Sequence, residues 1–215
     1  MTNYLNIIKT MAISQLQKDL IIGTILGDAT INKSGDSKAI LRFGQGFCNK
    51  EYLYYLFEIM KEYSSQPQPN ERIYTDPRFN KEYRSYNFST KSSTIFYPFL
   101  KLFTDSTIKT GRVLKIIPEC IPELLTPGAL AFWLMDDGQY VKNGGVTLCT
   151  DNFSTSEVFL LKSILEDKYQ LSCTIHNKNL EKGQLRIYIS GKSLPILREL
   201  VSESMHPSMA YKISK

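Results

Sequence analysis

Ile22-Gly23-Thr24-Ile25-Leu26-Gly27-Asp28 and Ala131-Phe132-Trp133-Leu134-Met135-Asp136-Asp137-Gly138 are the two stretches that decide the fold. Each is an apolar helical run that stops abruptly at an acid beside a small residue. A carboxylate at a helix C-terminus faces the negative end of the helix dipole. Such a placement breaks a local rule, and broken local rules point to function. A bound divalent cation would relieve the repulsion. In the first run, Gly23 and Gly27 lie four residues apart on one helical face. Interior glycine costs about 1 kcal/mol relative to alanine, so two on one face imply that another backbone passes very close. Taken singly, Asp28 could cap a turn and Asp137-Gly138 could be a turn. In matched contexts they favour two helices side by side, whose acids emerge at one edge as hard oxygen donors suited to Mg²⁺.

The likeness continues outward from both runs. Leu41-Arg42-Phe43 reads as a short strand, followed by a polar turn and a helix from about Lys50 to Tyr63. Val146-Thr147-Leu148 is followed in the same way by a helix from about Ser156 to Tyr169, with Ser154, Thr155 and Ser156 ahead of it and Glu157 in its first turn. Phe88-Ser89-Thr90-Lys91-Ser92 matches Ile189-Ser190-Gly191-Lys192-Ser193. Each ends a strand and leads into a helix with apolar residues at helical spacing: Ile95, Phe96, Phe99, Leu100 and Phe103 in one, Leu194, Leu197, Leu200 and Val201 in the other. The order in each half is helix, strands, helix, strands, helix, which is an internal duplication. Alternation places Leu185, Ile187 and Ile189 inward and Arg186, Tyr188 and Ser190 outward. Cys173 and Ile175 face inward in the same way, with Thr174, His176 and Lys178 outward. Asn143-Gly144-Gly145 is a tight-turn signal, and Ser64–Asn70 is a loop. Pro118, Pro122 and Pro127 punctuate the joint. The expected organisation is an N-terminal extension over 1–13, a first repeat over 14–106, a linker over 107–121 and a second repeat over 122–215.

Composition bounds the function. Hydrophobic residues are 42% of the 215, with 13 Tyr and 11 Phe, which excludes intrinsic disorder. No apolar run approaches the roughly 20 residues of a membrane span, so no membrane partner is expected. Met1–Leu20 has neither the apolar block of a secretory signal nor the arginines of a transit peptide. Cys48, Cys120, Cys149 and Cys173 form no CxxC pair, which argues against structural zinc and for a reducing compartment. The net charge of +5 permits a nucleic-acid partner and is equally at home in any mildly basic enzyme.

The two runs resemble the two motifs of single-chain LAGLIDADG homing endonucleases, in particular the mitochondrial omega-intron endonuclease type. The resemblance covers roughly Ile13 to Ile213. Its specific part is Leu125-Thr126-Pro127 with Trp133 and Met135-Asp136-Asp137-Gly138; Gly27-Asp28-Ala29 supports it. It implies an α+β fold of two pseudo-symmetric αββαββα repeats, with a central helix pair and two antiparallel sheets forming a DNA-binding saddle. It makes Asp28 and Asp137 the catalytic metal ligands, joined by the backbone of Gly27, with Asp136 as an accessory candidate. It also assigns Lys115, in Lys115-Ile116-Ile117-Pro118, and Lys212, in Met209-Ala210-Tyr211-Lys212, as symmetry mates serving one active site each. Phe132 replaces the motif glycine of the second copy, so helix contact there is expected to be looser than around Gly23.

The implied reaction is Mg²⁺- or Mn²⁺-dependent phosphodiester hydrolysis. It would leave a staggered double-strand break with short 3′ overhangs in a double-stranded DNA target, cut by a monomer during intron homing. Outward strand residues expected to read bases are Arg42, Gln45, Arg84, Asn87, Thr147, His176, Lys178, Arg186 and Tyr188. Loop residues Lys33, Arg72, Arg78 and Lys142 are expected at phosphates. Tyr52, Tyr54 and Tyr55 read as packing residues. An RNA-binding intron maturase on the same scaffold is the alternative, with intron RNA as partner. A DNA-binding regulator with relict motifs is disfavoured by the two retained lysines. A mitochondrion or other organelle is the expected location, with bacterial or phage hosts also carrying such genes. An intein is disfavoured because no Cys/Ser start or His-Asn end flanks the chain.

Overall fold

The computed structural model describes residues 2–105, 114–179 and 181–214. Residues 107–113 of the expected linker, position 1 of the extension and the last position of the second repeat lie outside the described residues.

After a short helix α1 (Thr2–Thr10), the chain enters α2 (Gln15–Leu26). Ser14 starts α2 with a capping box, its hydroxyl accepting from the Gln17 amide while the Gln17 side chain accepts from the Ser14 amide. The order then runs β1 (Thr30–Lys33), β2 (Ala39–Gly46), α3 (Lys50–Met60), β3 (Asn70–Asp76), β4 (Lys81–Ser89) and α4 (Tyr97–Phe103). Two short pieces, β5 (Thr104–Asp105) and β6 (Leu114–Lys115), pair antiparallel across the joint, and α5 (Ile121–Leu124) follows. The second half repeats the first: α6 (Pro127–Asp137), β7 (Gly138–Tyr140), β8 (Val146–Leu148), α7 (Thr155–Asp167), β9 (Cys173–Asn179), β10 (Gln184–Ile189) and α8 (Leu194–Val201). The αββαββα order therefore holds in both halves. The β5–β6 pair was not anticipated, because two-residue strands carry no alternation to read.

Both four-stranded sheets are antiparallel and share one topology, β1-β2-β4-β3 and β7-β8-β10-β9. Side chains of β2 alternate with the period of a strand: Leu41 and Phe43 buried, Arg42 and Gly44 exposed. The inner face of the first sheet packs on α3, where Phe88 stacks on Phe43 and meets Phe57 edge-on. In the second half, α7 covers β9 and β10 in the same manner. Its N-cap is Ser154, closing a capping box with Glu157, as the start signal in the sequence suggested.

The core runs through the central helices. Nine of the twelve residues of α2 and nine of the eleven of α6 are buried, so neither helix has a polar face, as expected of helices enclosed on all sides. Their mutual packing is the most extensive between any two helices among the described residues. Close approach is achieved by a pairing of equivalent positions. An ideal β-carbon on Gly23 would lie 2.5 Å from the Phe132 β-carbon and 2.3 Å from the Ala129 carbonyl oxygen. One on Gly27 would lie 2.5 Å from the Asp136 β-carbon, and one on Gly128 would lie 2.3 Å from Asp19 Oδ2. The pairs 19 with 128, 23 with 132 and 27 with 136 share one sequence offset. At each level one repeat supplies a glycine and the other a side chain. This corrects the expectation of looser contact at Phe132: its β-carbon fills the space that Gly23 leaves.

Candidate active site

The end of the helix pair is built by where the backbone stops. Gly27 terminates α2, its amide donating to the Gly23 carbonyl at 3.1 Å, and Asp28 follows, exposed. α6 runs two residues further on the equivalent numbering and ends in Asp136, buried, and Asp137, half-buried. The Asp28 amide donates across the interface to Asp136 Oδ2 at 3.1 Å. Asp28, Asp137, Gly27 and Lys115 line one cavity of about 150 Å³, together with Cys149 and Asp151. A wider cleft of about 610 Å³ opens on the other side of Asp137 and is lined by Asp136, Tyr211 and Lys212.

The lysines are placed symmetrically. Lys115 Nζ donates to the Gly27 carbonyl at 2.6 Å, and Lys212 Nζ donates to the Asp136 carbonyl at 3.0 Å. Gly27 and Asp136 are equivalent positions, each preceding its terminal acid. Two cations thus sit against the C-terminal carbonyls of two helices, where the dipole favours them.

Three carboxyls crowd this edge. Burial, followed by the negative charge of Asp28, raises Asp136 well above the usual carboxylate range. Asp137 is pushed up to about 7 by burial first and Asp28 second, against the opposing pull of Lys115 and Lys212. Burial lowers Lys115, and the three acids partly restore it. Such a cluster is disfavoured as charged groups in the bare protein and suits a shared cation. All the donors are oxygens: the Asp28 and Asp137 carboxylates with the Gly27 and Asp136 carbonyls. No cage of three or more His, Cys, Asp or Glu side chains exists among the described residues. Mg²⁺ is commonly held by one or two carboxylates, with water and substrate phosphate completing its shell, so the donor set fits such an ion.

Gln45 was read as a base-contacting residue, and the structure corrects this. It is buried, and its amide donates to Asp28 Oδ2 at 2.9 Å and to Asp136 Oδ1 at 3.2 Å. Asn49 donates to Gln45 Oε1 at 3.0 Å, and Tyr211 Oη donates to Asn49 Oδ1 at 3.2 Å. Arg42 and Gln45 are three residues apart on one strand, so strand parity forbids both from facing outward. The Gln45→Ala variant is expected to slow cleavage by about 10- to 100-fold, the usual cost of a lost orienting neighbour. Unchanged rates in a single-turnover assay would remove Gln45 from the site. Tyr52 Oη and Trp133 Nε1 are buried without a complete hydrogen bond. They lie near Asp136 and Asp137 respectively and act as polar neighbours of those acids.

The other expected contacts divide by face. On the first sheet, Arg42 and Asn87 share the outward side with Arg72, whose register partner is Ser85. Arg72 lies within β3 and Lys33 ends β1, so neither is in a loop as expected. Arg84 shares its parity with the buried Tyr86 and Phe88, opposite to Asn87, and pairs with Glu82 at 2.9 Å. Arg78 lies in the β3–β4 turn, paired with Asp76 at 2.7 Å. Lys142 lies exposed in the β7–β8 turn.

On the second sheet, Thr147, His176, Arg186 and Tyr188 share one side, with Thr147 opposite Tyr188 and Arg186 opposite His176; Lys178 falls at a register shift between Asn177 and Asn179 and has no register partner on β10. His176 and Tyr188 stack with ring centroids 5.0 Å apart. Tyr188 Oη accepts from the Gly145 amide at 2.9 Å. Arg186 is held by both carboxylate oxygens of Asp151, at 2.7 and 2.6 Å.

Comparison with known proteins gives a consistent picture. The sequence profile described as the LAGLIDADG DNA endonuclease family matches residues 18–197. DNA endonuclease I-ChuI of Chlamydomonas applanata is 30% identical over 212 residues, which cover 95% of this chain and 97% of that protein. Cytochrome b mRNA maturase bI2 of Saccharomyces cerevisiae is 33% identical over 203 residues, covering 90% of this chain; the chain spans only 46% of that maturase's length. Among solved structures, the homing endonuclease I-WcaI bound to its DNA recognition sequence matches with a TM-score of 0.82 at 26% identity, covering 98% of this chain and 90% of that one.

Proposed function

The chain belongs to the LAGLIDADG DNA endonuclease family, and we propose that it is a divalent-metal-dependent, site-specific endonuclease that cuts both strands of an intron-homing target. The observation that carries this reading is the convergence of Asp28 and Asp137 on one cavity, with a lysine against the carbonyl preceding each. The I-WcaI structure, bound to its DNA recognition sequence, supports double-stranded DNA as the partner, met by a single chain.

In this mechanism the Asp28 and Asp137 carboxylates would hold Mg²⁺ or Mn²⁺, with the Gly27 and Asp136 carbonyls available as further oxygen donors. A bound divalent ion supplies Lewis acidity toward the scissile phosphate and lowers the pKa of water. Gln45 holds the Asp28 carboxylate in place from one side. Lys115 and Lys212 present ammonium donors that offset charge developing on the phosphate. Thr147, His176, Lys178, Arg186 and Tyr188 on one sheet, with Arg42, Arg72 and Asn87 on the other, form the faces offered to the major groove. Lys33, Arg78 and Lys142 lie where backbone phosphates would pass. Residues 14–106 and 122–215 are the two repeats in this scheme, and a mitochondrial intron is the proposed origin.

Cleavage of a randomised duplex library in Mg²⁺ tests the reading. Linear product from the wild type, and none from Asp28→Asn or Asp137→Asn, is the expected result. The yeast maturase relative supports a second reading, assistance to intron splicing. Failure to cut any duplex, combined with tight binding of intron RNA, would favour that reading.

A further inference from the structure

Lys115 reaches the site from the joint between the repeats, on a strand only two residues long. Its position depends on what holds the chain on either side. Before it, the β5–β6 pairing sets Lys115 opposite Thr104, and the Ile116 amide donates to the Phe103 carbonyl at 2.9 Å. Both of these anchors belong to the first repeat. After it, the Ile117 amide donates to Glu157 Oε1 at 2.7 Å. Glu157 stands in the first turn of α7, in the second repeat.

Glu157 is committed twice. Oε2 accepts from the Ser154 amide and hydroxyl, both at 2.7 Å, closing the capping box. Oε1 is left to bind the joint. A capping box alone uses one oxygen, so the second oxygen gives this residue a partner outside its own helix. The carboxylate is thereby oriented before it meets Ile117, and the hydrogen bond is charge-assisted. From the capped end of α7, the geometry therefore fixes the chain two residues beyond Lys115.

Lys212 has no share in this brace. The tail that carries it is held by Arg198, whose Nε donates to the Ile213 carbonyl at 3.0 Å. The two lysines are thus located by separate polar contacts.

We propose that Glu157 is a positioning residue for Lys115, and so tunes cleavage of one DNA strand and not the other. This rests on the nuclease reading above for its activity arm alone. With an end-labelled target duplex, Glu157→Ala is expected to slow one strand by about 10-fold, leave the other within about twofold, and accumulate nicked product. Glu157→Gln has a single acceptor oxygen for two amide donors, those of Ser154 and Ile117, so its cutting is expected to remain skewed in the same direction, by less than in Glu157→Ala. Ser154→Ala weakens the capping box but leaves the Ile117 contact, so its cutting stays balanced. Equal slowing of both strands by Glu157→Ala, or skewed cutting by Ser154→Ala, would make Glu157 merely a helix cap and overturn the proposal.

A second measurement does not depend on cleavage. Reductive methylation followed by peptide mass spectrometry is expected to show Lys115 reacting faster in Glu157→Ala than in the wild type, with Lys212 unchanged. If the wild type cuts no DNA, the nuclease reading fails and the labelling still decides this inference. Unaltered Lys115 reactivity in Glu157→Ala overturns it.

Discussion

Asp137→Asn is expected to abolish cleavage and to make the ion-free protein more stable. The loss of rate should be about 10³-fold or more, the scale seen when a charge-stabilising group is deleted from an active site. The gain in stability follows from the proton balance. The Asp137 carboxyl is pushed up to about 7 in the fold, whereas an unfolded aspartate titrates near 3.9. Between those values the folded chain holds a proton that the unfolded chain has released. Stability therefore falls as pH rises from about 4 to about 7, and the full penalty persists above 7. Asparagine removes that penalty, which at neutral pH is on the order of 4 kcal/mol at most. In a chain of this length it corresponds to a rise in Tm of up to roughly 8–16 °C. Asp136 carries a slope of its own and remains in the variant, so the pH dependence weakens without vanishing. Thermal melts of both proteins from pH 4 to 8 in chelator check this. A variant that is less stable than the wild type at pH 8 would mean that Asp137 is a structural acid, satisfied in the fold.

Gly23→Ala should be the most damaging small substitution between α2 and α6. Its β-carbon would lie 2.3 Å from a backbone carbonyl oxygen and 2.5 Å from another β-carbon. Neither obstacle is the end of a flexible side chain, so the helices must separate or shift. Overpacking of this kind costs about 1–3 kcal/mol and sometimes more, and relief by local motion is least available between two buried backbones. We expect about 3 kcal/mol, or a fall in Tm of roughly 6–12 °C, with cleavage falling further because the acids ride on the shifted helix ends. Gly46→Ala is the control for stability, since nothing lies within 4 Å of its β-carbon and its φ is −64°. It should change stability by no more than about 0.5 kcal/mol. Equal melting temperatures for the two variants would show that α2 and α6 do not meet as closely as described.

The fold was legible in the sequence where patterns were long or duplicated. The two acid-ended runs, the matched order of elements and the Ser154 start signal each carried information that local physics could use. Residue facing was harder to read. Arg42 and Gln45 both carry groups suited to base edges, yet a strand alternates and only one of them can face outward. The same parity separates Arg84 from Asn87. The role of Gln45 needed long-range knowledge: its partners Asp28 and Asp136 are far away in the chain. Phe132 was read as a loss of symmetry, whereas the structure uses asymmetry as the packing rule, with a glycine against a side chain at three successive levels. The second partner of Glu157 was invisible for a similar reason. Its sequence context explains the capping box completely and gives no hint of the joint strand 40 residues earlier.

The convergence of Asp28 and Asp137 on a shared cation is tested most directly by anomalous diffraction from Mn²⁺ in crystals of the protein with its selected target duplex. The predicted result is an anomalous peak within about 2.5 Å of a carboxylate oxygen of each residue, lost on substitution of either by asparagine. Peaks that touch neither carboxylate, or a cleaved duplex with Mn²⁺ bound elsewhere on the protein, would contradict it.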